Sequence, residues 1–414
     1  RYEAELRRAQ ALDFEDIILT TVQLLKKHEA VRSHWATYFS YLMIDEYQDT
    51  NKPQYELTRL LARDHHNLCV VGDDYQAIYG WRGANFRNIL NFERDWPNAT
   101  VIKLEQNYRS TGTIVDAASS LIRHNVQRTD KMLWTATDAG QPISIYAASD
   151  EIDEARFIVR ELKRLHATYS WQDMAILYRT NAQSRVIEAA LLDELVSYRM
   201  VGGVRFYERK EVKDALAILR VVNNQRDLAA IERITKSLSL GIGPKALTLL
   251  RTETLPAARS AHPKIHRLFT QIDKLAALNQ PPAELVITAA RRLGLADQLL
   301  DGTEEGESRW ENVEELASVA RRYEDLPTML TEIALITDLD ETSDTADGVM
   351  LMTLQNAKGL EFPVVFIAGC EEGIFPHSRA LGEASELEEE RRLAYVGITR
   401  ARELLYLTRA DSRL

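Results

Sequence analysis

Cysteine is almost absent: Cys69 and Cys370 are the only two in 414 residues. No zinc-ligand spacing exists, and both stand in apolar, strand-like runs. They read as buried thiols of a reducing compartment rather than a disulfide or metal framework. There is no run of 18 apolar residues and no cleavable signal peptide, so a soluble, cytoplasmic chain without a membrane partner is expected. Positive charge is not in excess: 51 Lys and Arg stand against 62 Asp and Glu, a formal charge of −11. This excludes a protein held on nucleic acid by bulk charge, but not a local basic groove. Internal repeats and low-complexity tracts are missing as well. So is an initiator Met, since Arg1-Tyr2-Glu3 opens directly into an amphipathic helical pattern. The chain is therefore expected to begin in mid-protein.

What is present suits a globular protein. Apolar residues make up 45% and charged residues 27%, enough to bury real cores. At about 150 residues per domain, the length predicts two or three domains. The opening stretch to about Ser40 reads as helical. Short apolar strands follow at Tyr41–Ile44, Leu68–Val71 and Val101–Leu104. Each runs into acidic or amide residues: Asp45-Glu46, Gly72-Asp73 and Glu105-Gln106. Strands are also expected at Ile143–Tyr146, Met174–Leu177, Val349–Met352, Val364–Ala368 and Leu404–Leu407. Helix faces lie at Ile114, Ala118 and Leu121, with Ser110 or Thr111 as cap, and at Ile187, Leu191 and Leu195, with Asn181 as cap. Such alternation predicts an α/β fold with parallel sheets buried on both faces and chemistry at the carboxyl ends of the strands. From about Asn223 to Asp347 only helices are expected, broken at Gly241, Gly243, Pro244, Pro281, Pro282 and Gly302. The simplest organisation is an α/β domain interrupted by an all-helical insertion.

Five strings carry chemistry. Asp45-Glu46-Tyr47-Gln48-Asp49-Thr50 places two adjacent carboxylates at a strand end. That arrangement suits metal-dependent phosphoryl transfer, one group serving Mg²⁺ and the other the attacking water; an acidic turn is the plain alternative. In Val71-Gly72-Asp73-Asp74-Tyr75-Gln76-Ala77-Ile78-Tyr79-Gly80-Trp81-Arg82-Gly83-Ala84, Gln76 is a neutral group able to sense a γ-phosphate. Tyr79, Trp81 and Arg82 there interleave aromatic planes with a cation, as single-strand grooves do. On composition alone, an aromatic core segment with a loop arginine fits that stretch slightly better. Leu104-Glu105-Gln106-Asn107-Tyr108-Arg109-Ser110 puts an arginine where a strand opens into a helix, a place where exposed arginines are also common. Finally, Thr353 to Phe362 and Tyr395 to Arg402 bring Glu361 and Arg400. With Arg109, Arg400 would offer two guanidinium groups to one phosphate; alone, it reads as surface charge. The Glu388-Glu389-Glu390-Arg391-Arg392 run reads as a solvated helix start.

Together and in order, these strings resemble the UvrD/PcrA/Rep group of superfamily 1A DNA helicases, over essentially the whole chain. The resemblance is closer to PcrA and UvrD than to the helicase–nuclease relatives. It implies ATP hydrolysis coupled to 3′-to-5′ movement on single-stranded DNA, with duplex unwinding in repair or replication. It also implies two RecA-like P-loop NTPase domains around ATP, each with a helical insertion. Residues 1–99 would be the end of insertion 1B and the C-terminal part of domain 1A. Residues 100–222 and 348–414 would form domain 2A, and 223–347 its insertion 2B. By the same resemblance, Asp45 and Glu46 would serve Mg²⁺, with Glu46 as catalytic base. Gln76 would contact the γ-phosphate and Tyr108 would stack on adenine. Arg109 and Arg400 would be the phosphate arginines, and Glu361 would hold the ribose or assist coupling. DNA would meet Tyr79, Trp81, Arg82 and Gln355. It would also meet the Gly241-Ile242-Gly243-Pro244-Lys245 element, where backbone amides approach a phosphate closely. A helix–helix turn is the alternative reading of that element. Single-stranded DNA, single-strand/duplex junctions and repair or replication accessory proteins would be the partners.

Three departures stand out. No G-x-x-x-x-G-K-[ST] phosphate loop occurs in the 414 residues, and the adenine-reading glutamine segment is absent too. These residues alone are thus expected to bind ATP weakly and hydrolyse it negligibly. Gln355-Asn356 stands where relatives carry a histidine and a small residue. The insertion is short between Leu250 and Leu268. Two other readings follow: a truncated DNA- or partner-binding module without catalysis, and a subunit that borrows its phosphate loop from another chain. If a few cations line a DNA groove, affinity for single-stranded DNA should fall linearly on a log–log salt plot despite the acidic total. Salt-independent binding in a titration would contradict the groove.

Overall fold

The computed structural model describes residues 2–238, 240–341 and 347–413. The chain divides into two compact units. One comprises Arg1–Ile143, Lys358–Glu361 and Phe375–Leu404; the other comprises Ser144–Ala357, Phe362–Ile374 and Leu405–Leu414. The first unit thus runs past residue 99, because the Gly112–Ile122 helix packs on the Ala384–Ile398 helix.

In the first unit, β1 (Leu42–Ile44) and β2 (Leu68–Val70) pair in parallel, Leu42 opposite Leu68 and Ile44 opposite Val70. The Lys52–Ala62 helix connects them. Asn51 caps it, accepting from the Gln54 amide at 3.0 Å while the Gln54 side chain accepts from the Asn51 amide at 2.9 Å. That reciprocal pair satisfies two donors that a helix start leaves open. Both strands turn their central residue outward: Met43 is 79% exposed, and Cys69 is exposed rather than buried as expected. Successive strand side chains alternate faces, and among the described residues only one face of this pair is covered. The expected strand Val101–Leu104 does not form. It is an extended apolar run with Ile102 and Leu104 exposed, because no neighbouring strand among the described residues takes its hydrogen bonds. Pairing starts later, at β3 (Gln106–Asn107) with β4 (Trp134–Thr135). Thr111 sits at the N-cap of the Gly112–Ile122 helix without a side-chain bond, and the Ser110 hydroxyl instead donates to the Ala401 carbonyl at 2.6 Å.

The second unit is built on a six-stranded parallel sheet. Its strands are β5 (Ser144–Asp150), β6 (Met174–Tyr178), β7 (Tyr198–Met200), β8 (Val349–Thr353), β9 (Phe362–Ile367) and β10 (Ala401–Ser412). Their order is β5-β10-β9-β6-β8-β7. All five residues of β6 are buried between β8 and β9, which is why they read as one apolar run. Asp150 caps the Glu151–Leu165 helix by accepting from the Ile152 and Asp153 amides, and Ala155, Ile158, Val159, Leu162 and Leu165 form its buried stripe. Asn181 is not the cap of the next helix. It opens a 3-10 turn capped by Thr180, and the helix starts at Ser184. Cys370 is partly buried, and burial pushes its thiol up to about 12.

Between Leu228 and Glu341 the described residues form helices only, with Pro244 and Pro282 opening two of them. Proline tolerates those positions because a first-turn N–H has no intrahelical partner. The helices close around Ile265, Phe269, Ile272, Val313 and Leu316, all fully buried. Arg209 ties this core to the Ser184–Asp193 helix by donating to Asn312 Oδ1 and Ser184 Oγ, both at 2.7 Å. No helix among the described residues is long and apolar enough to cross a membrane. Ile176, fully buried at the centre of β6, is expected to cost about 2–5 kcal/mol when cut to Ala. Denaturant unfolding of the variant checks this.

Candidate active site

The parallel pairing of β1 and β2 brings their carboxyl ends side by side. Asp45 and Glu46 follow β1, both exposed. The Asp45 carboxylate accepts the Glu46 amide at 2.8 Å. Glu46 itself sits at φ +50°, a left-handed conformation that costs a non-glycine residue energy and aims its side chain away from the strand. Gln48, fully buried, holds that carboxylate by donating to Glu46 Oε2 at 2.6 Å and accepts the Asp73 amide at 3.0 Å. The approach is close. A Cβ on Gly72 would stand 2.5 Å from Gln48 Oε1 and 3.1 Å from the Tyr47 amide, so only glycine fits.

From the end of β2, Asp73 accepts from Gln76 Nε2 at 2.7 Å and is ion-paired to Lys131. Lys131 also reaches Asp74 at 3.2 Å and lies 4.0 Å from the Tyr75 ring centroid. Its carboxylate partners keep its pKa above the ordinary lysine value although burial opposes this. Beyond Gln76 the chain enters the aromatic loop. The Arg82 guanidinium lies 5.1 Å from the Tyr79 ring and 4.5 Å from the Trp81 ring, and Trp81 is half exposed. Rings and cation thus form one open stacking surface.

The arginine pair sits where the Ala384–Ile398 helix meets β10. Arg109 donates from Nε to Glu361 Oε2 at 2.6 Å and from Nη1 to the Thr399 carbonyl at 3.2 Å. Arg400 is 2% exposed, and its three bonds go to neutral acceptors: Val396 O at 3.0 Å, Leu360 O at 3.1 Å and Thr399 Oγ1 at 3.1 Å. Burial, then the neighbouring Arg109, lowers its pKa to about 10. The Arg109 hydrogen bond holds Glu361 below the usual carboxylate range. Glu361 pairs with Arg109 and lies 3.8 Å from Arg402, while Arg400 hydrogen-bonds no carboxylate; clustered guanidiniums of this kind suit an anion. Tyr108, beside them, is 81% exposed and free to stack.

A four-residue segment joins the two sets. Lys358, nearly buried, is ion-paired to Asp49, lies 3.2 Å from Glu46 Oε2 and donates to the Gln76 carbonyl at 2.9 Å. Leu360 then holds Arg400, and Glu361 holds Arg109. Three residues of extended chain span about 10 Å, so acidic turn, glutamine and arginines lie within one small site of the first unit. Asp45, Glu46, Gln76, Tyr79, Trp81, Arg82, Tyr108, Arg109, Glu361 and Arg400 all belong to that unit. Gly241, Gly243, Lys245 and Gln355 belong to the other. Gly241 is left-handed at φ +66° and its carbonyl accepts Lys264 Nζ at 2.8 Å, while Gly243 and Lys245 are exposed. Gln355 is partly buried; its neighbour Asn356 donates to the Val201 carbonyl at 3.2 Å.

Sequence reasoning missed Lys358, Gln48 and Lys131 as members of the site. A lysine inside the polar stretch between two buried strands was a readable signal for Lys358. Nothing local marks Lys131, whose partners are more than 50 positions away. The Glu388–Arg392 run is not solvated as expected. Glu390 accepts the His377 amide at 2.9 Å and Arg392 is 3% exposed. The described residues contain no group of three or more His, Cys, Asp or Glu that would hold a metal ion by themselves. The donor set at the end of β1 is two adjacent carboxylates, one of them with few competing bonds. It fits a hard cation that keeps water and phosphate oxygens as its other ligands, the habit of Mg²⁺.

Comparison with known proteins agrees with this architecture. The family model for the UvrD-like helicase C-terminal domain matches residues 102–257 and 259–412, and that for the UvrD/REP helicase N-terminal domain matches residues 1–97. The chain belongs to the UvrD-like helicase family. Among its relatives is the ATP-dependent DNA helicase PcrA of Staphylococcus epidermidis, 43% identical over 443 residues that take in 100% of this chain and 61% of that protein. The PcrA of Staphylococcus aureus is likewise 43% identical, with 100% of this chain and 60% of the relative covered. The chain therefore spans about three fifths of these UvrD-like relatives' length. Its six-stranded sheet is the RecA-like sheet of the family.

Asp49 sits above the ordinary carboxylate value because burial outweighs the Lys358 charge. Its ionised form costs stability, and that cost disappears as pH falls through its raised pKa. Lys358→Met removes the counter-charge and should lose about 1–3 kcal/mol at pH 7. The loss should shrink as pH falls and Asp49, once protonated, needs no partner. Melting temperatures from pH 7 downward test it; a pH-independent loss contradicts the pairing.

Proposed function

We propose that this chain is the larger part of an ATP-driven DNA helicase or translocase moving 3′ to 5′ on single-stranded DNA. The observation that carries the reading is the Lys358–Glu361 segment, which binds the acidic turn and Gln76 at one end and both arginines at the other. The names of the PcrA relatives support ATP and DNA as its substrates. Asp45 and Glu46 would hold Mg²⁺, which when bound neutralises charge on phosphate oxygens. Glu46, released from Lys358, would accept the proton of the attacking water. Arg109 and Arg400 would bind the terminal phosphate, since Arg400 already lies desolvated against neutral partners only. Tyr108 would stack on the base and Glu361 would hold the ribose or orient Arg109. Gln76 would sense the phosphate and pass its state to Tyr79, Trp81 and Arg82, a few residues further along the chain. Gly241, Gly243 and Lys245 would meet duplex at a junction, and Gln355 would stand near the strand.

In this reading residues 1–99 are the end of insertion 1B and the C-terminal part of domain 1A, 100–222 with 348–414 form domain 2A, and 223–347 form its insertion 2B. The protein would work in the cytoplasm, in repair or replication, with accessory partners. The 414 residues hold no phosphate-loop motif, so turnover is expected only where a phosphate loop is supplied. A binding module without catalysis is the second reading.

Glu46→Gln separates the two. In the complete protein it should lower ATP turnover by about 10²–10⁴-fold while single-stranded DNA affinity stays unchanged. Turnover at the wild-type rate in a steady-state ATPase assay would remove Glu46 from the mechanism.

A further inference from the structure

The turn that follows β2 is gripped by a segment more than 50 positions further along the chain. The Thr129 amide donates to Asp74 Oδ2 at 2.7 Å, and the Tyr75 hydroxyl donates to the Thr129 carbonyl at 2.7 Å. Two residues on, the Lys131 ammonium is ion-paired to Asp73, lies 3.2 Å from Asp74 Oδ1 and sits 4.0 Å from the centre of the Tyr75 ring. Its side chain is only 13% exposed. Taking an ammonium out of water is costly unless its partners are well placed, and the two Thr129 bonds already hold this segment to the turn. What the charge adds is control of the Asp73 carboxylate.

That carboxylate is engaged at both oxygens. Oδ1 accepts the Tyr75 amide at 3.0 Å and pairs with Lys131, while Oδ2 accepts Gln76 Nε2 at 2.7 Å. An ionised carboxylate can only accept hydrogen bonds, so the Gln76 amide must turn its NH₂ group toward it. The side chain thus has one sense. Its Oε1 and its second N–H stay available, and no described residue takes either. The same frame extends to the acidic turn: Gln48 accepts the Asp73 amide at 3.0 Å and donates to Glu46 Oε2 at 2.6 Å. Asp73 and Gln48 therefore fix Gln76 and Glu46 relative to each other.

We propose that Lys131 is a positioning residue for phosphoryl transfer: by pinning Asp73 it sets Gln76 with Oε1 toward the attacking water and the free N–H toward the terminal phosphate. The inference rests on the function proposed above and deepens it. The water oxygen bonds to phosphorus, one water proton passes to Glu46, and the bond from phosphorus to the departing ADP oxygen breaks. Gln76 neither gains nor loses a proton; it accepts from the second water hydrogen and donates to a phosphate oxygen. Without the ammonium, Asp73 keeps only Asp74, a like charge, as its charged neighbour. Its carboxylate then turns away, and the Gln76 amide is no longer held in one sense.

The test compares Lys131→Met, Gln76→Ala and the double variant of the complete protein. It measures ATP turnover at saturating oligothymidine, oligothymidine affinity without nucleotide, and melting temperature. Lys131→Met should lower kcat about tenfold while the KM for ATP and the oligothymidine affinity stay within about twofold. Gln76→Ala should lower kcat about 10²-fold. The double variant should be no slower than Gln76→Ala, because one residue acts through the other. Lys131→Arg, which keeps the charge and a donor, should recover most of the turnover. Wild-type kcat in Lys131→Met overturns the proposal, as do losses that multiply in the double variant, the mark of a merely structural role. If Lys131→Met no longer melts cooperatively, Asp73→Asn, whose amide can face Gln76 either way, takes its place in the same cycle. Wild-type turnover in Gln76→Ala removes Gln76 from the proposed function and the positioning with it; a slowed Gln76→Ala beside an unaffected Lys131→Met sinks the positioning alone.

Discussion

One short piece of chain organises the site. Lys358 reaches back to the acidic turn and the Gln76 carbonyl, while Leu360 and Glu361 hold the two arginines. Every group in this cluster is charged or strongly polar, and each is held by a partner distant in sequence. Without Lys358, Asp49 would be a buried carboxylate with no cation beside it. Without Glu361, Arg109 would lose its one carboxylate next to a second guanidinium. The segment therefore makes the close packing of like charges tolerable, and it does so with side chains from both sets.

The remaining electrostatic imbalance is informative. Arg400 is desolvated and bonded to neutral oxygens only. Burying an ion in that way is costly unless something supplies the opposite charge. Exposed Asp45 faces the converse problem, a carboxylate with no ion-paired cation among the described residues, while Glu46 shares Lys358 with Asp49. A magnesium–nucleotide complex would carry both complements, which is the physical case for the chemistry proposed at this place in the fold. Glu46, held left-handed by its neighbours, and Gln48, pressed against Gly72, show that the backbone is shaped to present these groups rather than to pack them away.

Much of this was legible beforehand, for identifiable reasons. Strands β6, β8 and β9 announced themselves because burial on both faces demands continuous apolar runs. The breaks expected at Pro244 and Pro282 fall at helix starts, because proline fits the first helical turn. The candidate residues were found because Asp-Glu, Gln76 and the aromatic loop stand at strand ends, where parallel sheets expose their carboxyl termini. Val101–Leu104 misled, since its apolar pattern describes a strand but cannot supply the neighbour that a strand needs. Cys69 misled for the same reason. The Glu388–Arg392 run looked solvated because charge in a sequence says nothing about what lies opposite it.

Local pattern thus determined which elements form, where they end, and which residue types stand at the ends. Those are properties of the backbone and of hydrophobic periodicity, carried by residues within a few positions of one another. Tertiary structure alone decided the pairings: Lys358 with Asp49, Lys131 with Asp73, Arg392 with the Ala77 carbonyl, and the desolvation of Arg400. Each depends on contacts across tens to hundreds of positions, and the energy of a charge is set by its surroundings in space, which a linear pattern does not contain.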